Sequence, residues 1–151
     1  MPEAALRALG FDFGLRRTGV AAGQNLTESA APVMLLEMAD GRPDWTVVDN
    51  LIKEWAPHRL VVGLPYTMDG SEQDIARRAR AFAAELERRY TCPVEMIDER
   101  MSSKEAEARL RELRQQGRKR VRREDIDCAA ACVILESWFH SQHPTSHPHS
   151  A

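Results

Sequence analysis

Leu60-Val61-Val62-Gly63-Leu64, stopped by Pro65, is an unbroken apolar run with no polar alternation. Successive side chains of a strand point to opposite sides, so a strand written this way is buried on both faces. It therefore belongs in the middle of a sheet. Around it the chain reads as strands first, then strands alternating with helices. Residues 6–13 and 19–23 are β-rich and joined by a turn over 14–18, which predicts a hairpin, and 32–38 adds a third strand. Asp44 is expected to cap a helix over 45–55, with Val48, Leu51, Ile52 and Trp55 on one face. The clearest helix runs from Ser71 to Tyr90, where Ile75, Ala79, Phe82, Ala83, Leu86 and Tyr90 form a stripe opposite an Arg- and Glu-rich face. Residues 94–97 predict another strand, with Asp98-Glu99-Arg100 at its carboxyl end. Ser102 and Glu105 have capping-box spacing and open a helix to Gln116. A last helix is expected from Glu124 to Phe139. The order predicts an α/β fold: a mixed five-stranded sheet flanked by helices on both faces, its later strands parallel because helices connect them.

At 151 residues the chain has the length of one domain, read as 1–139, with 140–151 a disordered Ser-, His- and Pro-rich tail. The four tail histidines, His140, His143, His147 and His149, have irregular spacing that does not describe a built metal site. A net charge of −2 leaves no global field to attract a polyanion, so any nucleic-acid affinity has to come from local clusters. No apolar stretch approaches the ~18 residues of a membrane span and the N-terminus lacks a signal-peptide pattern, which points to the cytoplasm and no membrane partner. Cys92, Cys128 and Cys132 lie in apolar surroundings and are expected to be reduced core thiols.

Ligand chemistry in such sheets gathers beyond the carboxyl ends of the strands. Asp12 interrupts an apolar run there, and an unpaired charge in a buried strand is costly. Asp-Phe-Gly also occurs in protein kinases, but no His-Arg-Asp loop follows it here. Asp98 and Glu99 end a later strand, and Asp127 precedes the apolar run of the last helix. Three convergent carboxylates make the oxygen-rich cradle that suits Mg²⁺ or Mn²⁺, and two such ions can activate water and stabilise the leaving oxygen of a phosphodiester. Each acid also has an ordinary use: Asp127 as a first-turn carboxylate favoured by the helix dipole, Glu99 as the partner of a neighbouring arginine. Arg118, Lys119, Arg120, Arg122 and Arg123 put five positive charges into six residues just before Asp127. They read either as a solvated loop or as phosphate contacts that give affinity without sequence choice. Arg17 and Arg100 stand near the acids, to hold the scissile phosphate or to pair with the carboxylates. Tyr66, Thr67 and Met68 follow Pro65 in a loop that could touch nucleic acid.

Gly10-x-Asp12-x-Gly14-x-x-Arg17-x-Gly19-x-Ala21 resembles the opening motif of the YqgF family, bacterial nuclease-like proteins of the RNase H-like fold. Gly63-Leu64-Pro65-x-x-x-Asp69-Gly70, Asp98-Glu99-Arg100-x-Ser102-Ser103 and Asp127-x-x-Ala130-Ala131 resemble its later motifs, in the same order. The resemblance implies an RNase H-like sheet and a cytoplasmic nuclease that matures the 5′ end of precursor 16S ribosomal RNA. Its partners would be pre-rRNA and ribosomal precursor particles. Some members are described instead as Holliday-junction resolvases, which makes a DNA junction the alternative substrate. The acidic roles, catalytic and metal-ligating, fall to Asp12, Asp98 or Glu99, and Asp127. In the wider superfamily the central strand ends near an acid. Here it ends in Gly63-Leu64-Pro65, so Asp98 or Glu99 has to supply that carboxylate from the neighbouring strand. Adjacent strand residues face opposite ways, so one of the pair is the direct ligand. Two other readings compete: a non-catalytic RNA-binding assembly factor, and a nucleotide-phosphate binder using the glycine-rich hairpin. The oligomeric state is left open.

Overall fold

The first two β-rich runs, separated by Gly14, close into an antiparallel hairpin. Strand β1 (Arg7–Asp12) pairs with β2 (Arg17–Gln24), and Asp12 stands opposite Gly19. The computed structural model describes residues 5–64, 72–98 and 128–142. The turn of the hairpin shows why glycine stands at position 14: an ideal Cβ there would lie 2.2 Å from the Arg17 carbonyl oxygen. Thr18, fully buried, accepts from the Gly14 N–H at 3.2 Å, so the turn is held by its own side chain.

β3 (Ser29–Ala39) adds antiparallel to β2 with a register shift beside Val20 and Ala21. It then reverses into a two-residue strand, β4 (Arg42–Pro43), through Asp40 and Gly41, both at positive φ (53° and 84°). Asp-Gly is the pair that tight hairpins of this hand favour. This short strand makes the sheet six-stranded where five long strands were expected; two residues are too few to leave an alternating pattern in the sequence.

Asp44 ends that turn and caps α1 (Trp45–Trp55) by accepting from the Thr46 N–H at 3.0 Å. Asp44→Ala removes this acceptor and should lower stability by about 1 kcal/mol, read as a shifted urea midpoint with an unchanged slope. α1 returns the chain to β5 (Arg59–Leu64), parallel to β1, and α2 (Glu72–Arg89) leads to β6 (Val94–Asp98), parallel to β5. The strand order is β4-β3-β2-β1-β5-β6.

The sheet separates two cores, and β5 divides its side chains between them as its unbroken apolar sequence requires. Leu60 and Val62 join Leu9, Phe11, Leu36, Val48, Leu51, Phe82 and Leu86 under α1 and α2. Val61 faces the other way, with Ala8, Ala21 and Ala30, onto α3 (Ala129–Ser141). On this second face the sheet is carpeted with small residues. A Cβ on Gly10 would lie 3.0 Å from the Leu135 Cβ and 3.2 Å from the Ala131 carbonyl oxygen, so the helix rides close to the strand. α3 is apolar nearly all round and correspondingly buried, and the Trp138 indole N–H donates to Glu95 on β6 at 3.1 Å.

The expected start of this last helix at Glu124 is corrected: Cys128 occupies its N-cap and Ala129 its first turn. Residues 124–127 lie outside the described residues, and the Cys128 thiol at the helix start donates to the Met34 carbonyl at 3.2 Å. At the other end α3 continues through Ser141, two residues into the stretch read as tail, and 143–151 lie outside the described residues. All three cysteines are free thiols, with Cys128 and Cys132 buried. No described helix is long and apolar enough to cross a membrane.

Candidate active site

Asp12 is the last residue of β1 and is half-buried. Alternation along the strand assigns it a face. Ala8 and Gly10 lie on the α3 side, Leu9 and Phe11 on the other, so Asp12 shares the α3 side. Its ladder partners are glycines on both flanks, Gly19 on β2 and Gly63 on β5. Neither carries a Cβ, so no ladder side chain stands beside the carboxylate on either hand. The apolar logic of the sheet is suspended here at three adjacent positions, where a carboxylate stands between two bare backbones.

α3 runs antiparallel to β1. Its Phe139 ring lies against Gly23, the ladder partner of Ala8, whereas Ala131 and Leu135 lie against Gly10. As β1 advances from position 8 to position 10, the helix recedes toward its N-terminus, and its first turn at Cys128 therefore lies toward the Asp12 end. The positive end of the helix dipole points to the same end of the sheet. Asp127, the sequence-predicted acid immediately before Cys128, lies outside the described residues.

β6 ends at Asp98, paired with Leu64, and Leu64 packs with the α1–α2 core. The ladder line through Asp12 and Gly63 meets β6 at Ile97, which packs on the α3 side. Glu99 lies outside the described residues, as do Arg100, Arg118, Lys119, Arg120, Arg122 and Arg123 and the loop residues Tyr66, Thr67 and Met68. Arg17 is described: it is exposed, two residues before Gly19 on β2, and so falls on the face of Asp12 just beyond the end of β1. Among the described residues no three His, Cys, Asp or Glu side chains come together as a metal cluster. What is described is one arm of the expected cradle.

The arginines of α2 behave as an ordinary helix surface. Arg88 and Arg89 both bond Glu85 and hold its carboxyl below the usual glutamate value. Arg78 ties Asp40 and Asp74, and Arg89 also covers the Trp45 ring. His140, the one described histidine of the tail group, caps the end of α3 near Glu28.

A mixed sheet of this order, with helices on both faces and an acid closing its first strand, is an RNase H-like fold. RuvC of T. thermophilus, solved in complex with a Holliday junction substrate, has the same fold: TM-score 0.59 at 14% identity, covering 93% of this chain and 97% of that one. The chain belongs to the RuvX family, described as Holliday junction resolvase, whose model matches residues 6–141. This bears out the YqgF resemblance, all of whose motifs fall inside the match. A protein of Shewanella denitrificans named "Putative pre-16S rRNA nuclease" is 45% identical over 89% of this chain and 94% of its own length. A protein of the same name from Coxiella burnetii is 46% identical over 94% of this chain and 98% of its own.

Proposed function

We propose that this chain is a divalent-metal-dependent nuclease that hydrolyses phosphodiester bonds in the maturation of the 5′ end of precursor 16S rRNA, in the cytoplasm. The observation that carries the reading is Asp12 flanked in the ladder by Gly19 and Gly63, at the end of the sheet toward which the α3 N-terminus points. A half-buried carboxylate kept beside two bare backbones suits a hard cation and a phosphate group, which need oxygen donors and close approach. The ion would be Mg²⁺ or Mn²⁺, held by Asp12, Asp127 and one acid after β6. When bound, it supplies charge that stabilises the phosphorane-like transition state and the leaving oxygen.

Glu99 is the better candidate for the third acid than Asp98. Ile97, not Asp98, stands on the line of Asp12 and Gly63. Asp98 pairs with Leu64, a residue of the other core. Asp12 orients the reacting phosphate, and Arg17, on the same face and just outside it, binds a non-bridging oxygen. The basic run 118–123 contacts flanking phosphates. Relatives 45–46% identical carry the pre-16S rRNA name, whereas the likeness to the junction-bound RuvC is one of fold at 14% identity. RNA is therefore favoured. The family description keeps a four-way DNA junction as the second reading.

The test is cleavage of RNA spanning the precursor 5′ junction and of a synthetic four-way junction, each with Mg²⁺, with Mn²⁺ and with chelator. RNA cleavage should need the metal and exceed junction cleavage. Glu99→Gln should lose far more activity than Asp98→Asn. Faster cutting of the junction would transfer the assignment to DNA, and equal losses for the two variants would remove the choice of Glu99.

A further inference from the structure

The hairpin tip that follows Asp12 does not end at β2. The Leu15 carbonyl accepts from the Gly41 N–H at 2.8 Å and the Arg16 carbonyl from the Met38 N–H at 2.8 Å. The β1–β2 turn is thus laced to the β3–β4 turn, and one continuous ridge of backbone runs from Arg17 through Arg16 to Arg42. All three arginines are exposed, and none has a carboxylate partner among the described residues.

Two acids of the same segment are otherwise engaged. Asp40 is held by Arg78 at 2.8 Å, and Asp44 caps α1. Glu37, across the ladder from Arg17, makes no ion pair with it within 4.0 Å. On α2, by contrast, Arg78, Arg88 and Arg89 are neutralised by Asp40, Asp74 and Glu85. The ridge keeps its charge on a backbone that is tied down. It begins on the face of Asp12 and leads away from it toward α2.

We propose that Arg16 and Arg42 extend the Arg17 contact into a phosphate track that binds single-stranded RNA leading away from the cleavage position. This rests on the nuclease reading above and adds a binding surface to it. Guanidinium forks suit the task because they pair with phosphate oxygens through two parallel N–H bonds and remain charged at any working pH. Such contacts read no sequence; they set the path of the strand.

The test is fluorescence-anisotropy titration of a single-stranded RNA oligonucleotide with the full chain, in chelator to prevent cleavage, over a series of salt concentrations. Arg16→Ala/Arg42→Ala should bind several-fold more weakly. Its slope of log affinity against log salt should be shallower by roughly 0.7 per lost contact, about 1.4 for the pair. Lys53→Ala, which removes a charge from the last turn of α1, should leave the slope unchanged. A wild-type slope in the double variant would overturn the track while leaving the nuclease reading intact. Loss of slope on a four-way DNA junction but not on RNA would overturn the choice of ligand. A wild-type chain that binds no nucleic acid at all would overturn both.

Discussion

Asp12→Asn protein should cleave its RNA substrate on the order of 10³-fold more slowly than wild type while remaining folded. The substitution keeps the shape of the side chain and removes its charge. If the carboxylate supplies several kcal/mol of transition-state stabilisation through the ion it holds, losing about 4 kcal/mol corresponds to roughly that factor. Asparagine keeps the volume and shape of the side chain, so the packing at position 12 is retained and the domain should stay folded. Single-turnover cleavage, circular dichroism and calorimetric titration of Mn²⁺ check the three parts. Metal binding should weaken with the rate. A variant that cleaves normally would remove Asp12 from the site. One that unfolds would make Asp12 a structural residue.

Phe82→Ala should do the opposite: a large loss of stability with the chemistry untouched. Phe82 is buried where three aromatic rings meet. It lies edge-on to Phe11 at 5.6 Å, beside Phe13 at 5.5 Å and stacked near Trp45 at 6.1 Å. Truncating such a ring removes its transfer energy and leaves a cavity, at a cost of roughly 3–5 kcal/mol. For a domain of this length each kcal/mol is worth roughly 2–4 °C, so the melting temperature should fall by about 10 °C. The ring lies on the α1–α2 side of β1, and Asp12 faces the α3 side. Below the new melting temperature, the cleavage rate per folded molecule should therefore match wild type. Slower cleavage without loss of stability would mean that the two faces of the sheet are coupled in a way the layered packing does not provide.

These two substitutions sit one strand thickness apart, and the sequence already separates their residue types. Alternation in β1 assigns Leu9 and Phe11 to one core and Ala8 and Gly10 to the other, and the expected helix over 45–55 ends where its periodicity and Asp44 cap say it should. The family was legible too, because its motifs are short runs of sequence, all inside the matched residues 6–141. Other features left weaker traces or none. β4 is two residues long, shorter than any pattern. The start of α3 is tied to β3 by the Cys128–Met34 hydrogen bond, a contact across 94 residues of chain. Arg16 and Arg42 share no motif; long-range backbone bonds put them on one ridge.

The sequence by itself determined the local facts: which runs are strands, which faces are apolar, and that Asp12 is an acid where packing has no use for one. Such facts follow from side-chain size, charge and periodicity within a few residues. Only the tertiary structure decided what stands beside that acid. The register of β1 with β2 and β5 brings Gly19 and Gly63 to its flanks and Ile97 onto its line. The close approach of α3 over Gly10 aims the helix N-terminus toward it. Register and helix direction are set by the whole packed sheet, in which a one-residue slip would turn every side chain to the wrong core. No short stretch of sequence carries that information.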